Sequence, residues 1–317
     1  ATRCDLDIES HPHPLIGPQG EALALHVVRD GLRRAPRLLI ISSGCHGIEG
    51  HVGSAVQTAL LSDPAWRAAT REAGVAVLYL HALNPHGFAW GRRATQENVD
   101  LNRNFLDFAQ PLPQNAAYDE LAALLVPTHW PPNPAGEAAL DRLLSQRGWP
   151  EMQRAISCGQ YGHPEGLFYG GRNPTWSHVT LRQVLREQGR SCAQLGWIDV
   201  HSGLGPWGIG ERIFEGRAGD EAEGLRRARA WWGDQVTCIE DGESVSSAVT
   251  GQMMQSLYAE CPQAPCTGIT LEFGTVPLME VVSALRAEQW LENHPESEGS
   301  IGREIRNRFR AAFYPDS

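Results

Sequence analysis

Arg37-Leu38-Leu39-Ile40-Ile41-Ser42-Ser43-Gly44-Cys45-His46-Gly47-Ile48-Glu49-Gly50 is a short apolar run that passes into a glycine-rich turn holding a histidine and a carboxylate three residues apart. Residues 37–41 read as a buried strand. Residues 52–61, with apolar side chains at Val52, Ala55, Val56, Ala59 and Leu60, read as the helix that follows. His46 and Glu49 therefore sit in a strand-to-helix turn, and one helical turn brings an i,i+3 pair to the same side. Gly44, Gly47 and Gly50 let the backbone bend sharply there. Imidazole nitrogen and carboxylate oxygen both bind Zn²⁺ at about 2 Å, and a catalytic zinc keeps three protein ligands and an open position. A third ligand is expected elsewhere in the chain.

The 317 residues are read as a single α/β domain, with a hydrophobic fraction of 42% sufficient for a sizeable core. No apolar run approaches the roughly 20 residues a membrane span needs. A formal charge of -10 argues against a nucleic-acid or anionic-membrane binder, since those present basic surfaces, so a small substrate is expected. All 27 basic residues are arginine. The absence of lysine excludes both a P-loop lysine and a Schiff-base lysine. Seven cysteines without a CxxC pair suggest neither a disulfide framework nor a zinc ribbon, and a reducing cytoplasm fits them. The start, Ala1-Thr2-Arg3-Cys4-Asp5, lacks a signal pattern, although a chain beginning at alanine leaves a processed leader, and hence export, open.

Outward from the central stretch, residues 22–28 and 75–80 read as further strands, with Asn84-Pro85-His86-Gly87 as a loop after the second. His11 and His13, each hemmed by prolines, read as surface-loop residues, with metal binding as the alternative. Arg92, Arg93 and the segment Asn98-Val99-Asp100-Leu101-Asn102-Arg103-Asn104-Phe105 gather guanidinium and amide groups suited to a carboxylate or an oxyanion. Short helices are expected at 119–125 and 137–144. The loop 159–171 either lines a cleft or packs Tyr161 and Phe168 inward.

After a helix at 179–188, residues 195–203 form a strand that ends in glycine and repeats the first arrangement, with His201 at its carboxyl end. Asp199, two residues earlier, shares its face and could orient it. Gly203-Leu204-Gly205-Pro206-Trp207-Gly208 matches GxGxxG but is no dinucleotide site, because Pro206 intervenes and a strand at 211–215 follows instead of a helix. Then come a helix at 220–232, a strand at 236–239, and a strand around Ile269-Thr270-Leu271-Glu272-Phe273. A glutamate between apolar strand neighbours is costly unless paired or used, so Glu272 is the candidate general base, with a structural ion pair as its alternative. Helices at 281–293 and 301–313 close the chain.

Taken together, His46-Gly47-Ile48-Glu49, Arg92-Arg93, Asn102-Arg103, His201-Ser202 and Glu272, in that order, resemble the zinc metallocarboxypeptidase superfamily. The likeness spans residues 37–275. It is greatest to a bacterial branch with SSGxHGxEG, VDLNRNF and TLEFGT segments that is related to the succinylglutamate desuccinylase and aspartoacylase group. The resemblance implies a three-layer α/β/α sandwich around a mixed eight-stranded sheet, and one Zn²⁺ per chain on His46, Glu49 and His201. It further implies Asp100 behind His46 and Glu272 as base. Asn102 and Arg103 would hold a substrate carboxylate, and Arg92 or, preferably, Arg93 would polarise the scissile carbonyl. The implied reaction is hydrolysis of an amide beside a free carboxylate, in a small peptide or, alternatively, an N-acyl amino acid. A binding protein on the same scaffold is the rival from outside enzymes. The mobile-loop tyrosine of the digestive enzymes has no assigned counterpart, because Tyr258 lies nearer to Glu272 than that pattern expects.

Overall fold

The computed structural model describes residues 6–217, 221–239 and 241–315. Among them, β1 (Asp7–Ile16), β2 (Ala22–Asp30), β3 (Arg37–Ser43), β4 (Val75–His81), β5 (Gln194–Trp207), β6 (Gly210–Phe214), β7 (Val236–Cys238) and β8 (Cys266–Gly274) form one sheet. Its order is β1-β2-β4-β3-β5-β8-β6-β7. The central strands β4, β3, β5 and β8 pair in parallel, while β1–β2, β2–β4 and β8–β6 pair antiparallel. This is the mixed eight-stranded sheet expected from the resemblance.

Central strands buried on both faces read as continuous apolar runs, and helices supply the two covers. Leu38 and Ile40 of β3 pack with Leu181, Val184 and Leu185 of helix Trp176–Gly189 and with Leu257 of helix Gln255–Glu260. Leu39 and Ile41 point the other way, onto Val52, Val56 and Leu60 of helix Gly50–Ser62. The period-2 alternation of β3 thus lays down three layers. Each fully buried side chain of this kind, such as Ile40, contributes about 1.5–3 kcal/mol.

The amino-terminal segment departs from the sequence reading. His11 and His13 lie in β1, an edge strand paired to β2 through Pro12↔Ala24, and His13 is buried. Proline is tolerated at an edge, where its missing N–H faces away from the neighbour. The stretch after β4 also differs: Pro85–Trp90 is a helix in which Asn84 Oδ1 accepts the Gly87 N–H at 2.9 Å and Pro85 occupies the first turn. Asn-Pro was a helix start here and not a loop. Helices Pro64–Glu72, Trp149–Ser157 and Gln255–Glu260 went unread in the sequence. The helix expected from residue 220 runs Glu221–Trp232, and Asp220 itself lies outside the described residues, as do residues 1–5. Among the described residues no helix is long and apolar enough to cross a membrane.

Candidate metal centre

Because β3, β5 and β8 are parallel neighbours, their carboxyl ends open on one edge of the sheet, where α/β proteins place ligands. His46 and Glu49 lie in the turn after β3, and His201 of β5 stands in register with Glu272 of β8. The turn needs its glycines at two points. Gly44 has φ +72°, a left-handed conformation, and a Cβ on Gly47 would lie 2.0 Å from the Gly87 carbonyl carbon. So pressed, the turn donates the Gly47 and Ile48 N–H groups to the carbonyls of Arg93 and Arg92 at 3.1 and 2.9 Å. The two arginines are thereby tied to the same turn as His46 and Glu49.

Ligand atoms of His46, Glu49 and His201 all lie within 4.8 Å of one another, and all three residues are buried. Both Nδ1 atoms face the Glu49 carboxylate, His46 at 2.9 Å and His201 at 2.8 Å. Each Nε2–H points to an aspartate: His46 to Asp100 Oδ1 at 3.0 Å, and His201 to Asp199 Oδ2 at 2.6 Å. A carboxylate behind each imidazole fixes the tautomer and leaves Nδ1 for a metal. Asp199 is in turn held by the Ser42 hydroxyl at 2.5 Å, and Ser42 Oγ accepts Trp197 Nε1–H at 2.6 Å.

Electrostatics follow the same geometry. Burial alone would lower the pKa of His201, but Asp199 and Glu49 outweigh it and hold the imidazole well above its usual value. Burial would raise the Asp100 carboxyl, yet Arg93, Arg103 and His46 keep it well below the carboxylate range. Glu49 is likewise held down by His46 and His201 against its burial.

A divalent metal fits this set. His46 Nδ1, although close to Glu49, is a buried nitrogen with no hydrogen-bond partner, an arrangement that costs stability unless something accepts its lone pair. Two imidazoles and a carboxylate are also a zinc donor set. A second buried group, Cys45, Asp199 and His201, is equally compact. It suits a metal less well. Burial and the Asp199, Asp100 and Glu49 charges push the Cys45 thiol well above its usual pKa, whereas metal binding requires the thiolate. Both oxygens of Asp199 are already engaged.

The remaining sequence candidates separate. Arg93 lines the cavity over the cluster, ion-paired to Asp100 and 3.6 Å from Glu49. Arg92 turns away to Glu288 at 3.0 Å and Glu292 at 3.2 Å. Asn102 and Arg103 also line the cavity. Arg103, however, gives Nε–H and Nη2–H to the Ser157 carbonyl and Nη1–H to the Asn102 carbonyl, and Asn102 Oδ1 accepts the Met253 N–H. Part of the Arg103 donor capacity and the Asn102 amide oxygen are therefore structural. Glu272 is buried in the same wall; one oxygen accepts the Leu204 N–H at 3.0 Å, and burial, then the Glu49 charge, push its carboxyl up to about 8.

The cavity is partly open to solvent and has a volume of about 140 Å³. Leu167 and Phe168 of the 159–171 loop line it, and Arg93 and Arg103 lie over the Phe168 ring at 5.0 and 5.5 Å. None of the six tyrosines does. Tyr161 gives its hydroxyl to the Arg103 carbonyl, and Tyr258 gives its own to the Glu215 carbonyl. Glu215, unread in the sequence, is buried in the cavity wall with the Thr270 hydroxyl bonded to its carboxylate. Its one sequence signal was a charge directly after the apolar Ile213-Phe214.

Solved structures align with this chain at low identity. Carboxypeptidase A from Helicoverpa armigera aligns at 13% identity and TM-score 0.48, covering 99% of this chain and 70% of that one. An aspartoacylase family protein from Mesorhizobium loti aligns at 15% and 0.44, covering 91% and 68%. A succinylglutamate desuccinylase from a Silicibacter species aligns at 10% and 0.44, covering 93% and 68%. No curated protein matches the sequence. The family described as "Protein of unknown function (DUF2817)" matches residues 1–317, and the chain belongs to that family.

Proposed function

We propose that this chain is a zinc-dependent hydrolase, with one Zn²⁺ per chain, that cleaves an amide bond beside a free carboxylate in a small peptide, as metallocarboxypeptidase-like peptidases do. The observation that carries the reading is the convergence of His46 Nδ1, His201 Nδ1 and Glu49 in one buried cluster, each imidazole backed by an aspartate, at the floor of a cavity that also holds Glu272 and Arg93.

Zinc held by His46, Glu49 and His201 would supply Lewis acidity and a water acidic enough to ionise near neutral pH. The chain's own residues do the rest. Glu272, with one oxygen fixed by Leu204 and its carboxyl group in the cavity wall, takes a proton from the attacking water and returns it to the leaving amine. Arg93, held by Asp100, directs N–H groups to the oxygen on which negative charge develops. Asn102 and the uncommitted donors of Arg103 receive the substrate carboxylate.

An N-acyl amino-acid deacylase is the second reading. It is favoured by the apolar cavity wall of Ile156, Leu167, Phe168, Val281 and Leu285, which would take an acyl group. The test is a screen of zinc-loaded protein against peptides and N-acyl amino acids, each with its carboxylate free or amidated. Removing one partner of a desolvated charge pair costs about 2–5 kcal/mol, so amidation should slow cleavage roughly 30-fold or more. Equal cleavage of acid and amide would remove the carboxylate from recognition.

A further inference from the structure

Among the described residues, Glu272 is held by a single hydrogen bond, from the Leu204 N–H to Oε1 at 3.0 Å. Leu204 lies outside the regular ladder. β5 and β8 pair residue for residue up to Ser202↔Phe273, and the next pair is Trp207↔Gly274, so residues 203–206 form a bulge on β5. A bulge re-aims backbone groups but gives up the ladder bonds that would keep it in place. The hold on Glu272 is therefore only as firm as whatever supports residues 203–206 from beyond the sheet.

The end of helix Ser300–Phe313 supplies that support. The last carbonyls of a helix have no partner within it, and buried ones must find one elsewhere. The Arg310 carbonyl takes the Tyr314 N–H at 2.7 Å. The Ala312 carbonyl accepts the Thr275 hydroxyl at 2.6 Å, and the Phe313 carbonyl accepts the Ser202 hydroxyl at 2.7 Å, both bonds being buried. Ser202 immediately precedes the bulge and Thr275 immediately follows β8, so one helix end grips both strands where their own pairing is interrupted. The Phe313 ring completes the contact. A Cβ on Gly203 would lie 3.0 Å from Phe313 Cε1 and 3.9 Å from Glu272 Oε1, which sets the first bulge residue between ring and carboxylate. Phe313 is itself packed with Phe309, Val281 and Leu285, and a close-packed core of this kind resists displacement.

We infer that Ser202 and Thr275 are positioning residues for the base: by tying the end of helix Ser300–Phe313 to β5 and β8, they lock the bulge whose Leu204 N–H aims Glu272. This deepens the hydrolase reading and rests on it for the role of Glu272. Ser202 also reaches Glu49 through its backbone N–H at 3.4 Å, a contact that a side-chain substitution leaves in place. Losing either hydroxyl frees the bulge to shift, and misplacing a reacting group by about 1 Å costs on the order of 10²-fold in rate. Substrate binding is spared, because Asn102 and Arg103, which receive the carboxylate, bond to neither hydroxyl.

The test follows the Leu204 amide by ¹H–¹⁵N NMR and hydrogen exchange in zinc-loaded protein, its bond to the carboxylate being identified by the shift that Glu272→Gln causes. In the wild-type protein this amide should be as protected as those of Trp197 and Ile198, although it lies outside the ladder; free exchange there overturns the proposal without any variant. Ser202→Ala and Thr275→Val should move the Leu204 signal and speed its exchange ~10-fold or more, as a local opening does, with Trp197 and Ile198 unaffected. Thr275→Ser keeps the hydroxyl and should restore Leu204. With N-acetyl-L-phenylalanine and N-acetyl-L-alanyl-L-phenylalanine as deacylase and peptidase probes, kcat should fall ~10- to 100-fold in Ser202→Ala and Thr275→Val, with KM and zinc content within about twofold of wild type. An unmoved Leu204 amide in both variants, exchange that rises equally along β5, unaltered kcat, or no rescue by Thr275→Ser overturns the positioning role. The Leu204 response without turnover of either probe by the wild-type protein supports the contact and counts against the hydrolase reading, so the two failures are distinguishable.

Discussion

Replacing Asp199 with asparagine tests how the centre is wired. Asp199 takes the His201 Nε2–H on one oxygen and the Ser42 hydroxyl on the other, and Ser42 Oγ itself accepts Trp197 Nε1–H. In Asp199→Asn the side-chain oxygen must stay toward the Ser42 hydroxyl, because the alternative sets an NH₂ group against that donor. The NH₂ then faces His201 Nε2, which can meet it only as an acceptor. The imidazole proton moves to Nδ1, the atom that the metal requires. Loss of the partner behind a ligating histidine costs about 10- to 100-fold in metal affinity, about 1.4–2.8 kcal/mol. In the metal-free protein the same substitution removes a buried charge-assisted bond, for a further loss of about 1.5–3 kcal/mol of stability. Competition with a chromophoric chelator gives the first quantity, urea unfolding after chelation the second, and ¹⁵N shifts of His201 report the tautomer. Zinc affinity within twofold of wild type, with the proton still on Nε2, would refute the reasoning.

Other expectations follow from the same geometry. Glu272→Gln should retain zinc and lose turnover by at least ~10²-fold, the usual range for a general acid-base group; unchanged turnover excludes Glu272 from proton transfer. In chelated protein, Glu272 ionises near 8 when folded and near 4.5 when unfolded. The unfolded state therefore binds fewer protons between those values, so this group's contribution to stability falls as pH rises through that window, and Glu272→Gln should flatten the fall in Tm. Asp199 and Glu49 hold His201 well above its usual pKa when no metal is bound, so zinc binding through Nδ1 is expected to release a proton. Calorimetry in buffers of different ionisation heat should register that release, and its absence would contradict Nδ1 ligation by His201.

Much of the centre was legible because local patterns placed it. The apolar run into Gly44, the HxxE spacing and the strand ending at His201 each marked a strand's carboxyl end, and parallel pairing then brought the ends together. The carboxylates behind the histidines were readable in different ways: Asp199 from its i,i+2 relation to His201, and Asp100 through the family resemblance. What stayed hidden depended on contacts distant in sequence. Arg92 and Arg93 are adjacent and chemically identical, and only the docking of Glu288 from helix Leu278–Asn293 draws one of them away. Glu215 sits beyond an unremarkable strand, and only the antiparallel pairing of β6 with β8 brings it to Thr270. The edge strand β1 was masked by prolines that its unpaired side tolerates.

The central claim is that the metal is held by the Nδ1 face of the histidine pair, and the alternative cysteine-containing group shares His201 with it. Zinc stoichiometry of the wild-type, His46→Ala and Cys45→Ala proteins, purified without chelator, therefore separates the two most directly. One zinc per chain is expected in the wild-type and Cys45→Ala proteins, with most of it lost in His46→Ala. Full zinc in His46→Ala, or its loss in a folded Cys45→Ala protein, would contradict the assignment.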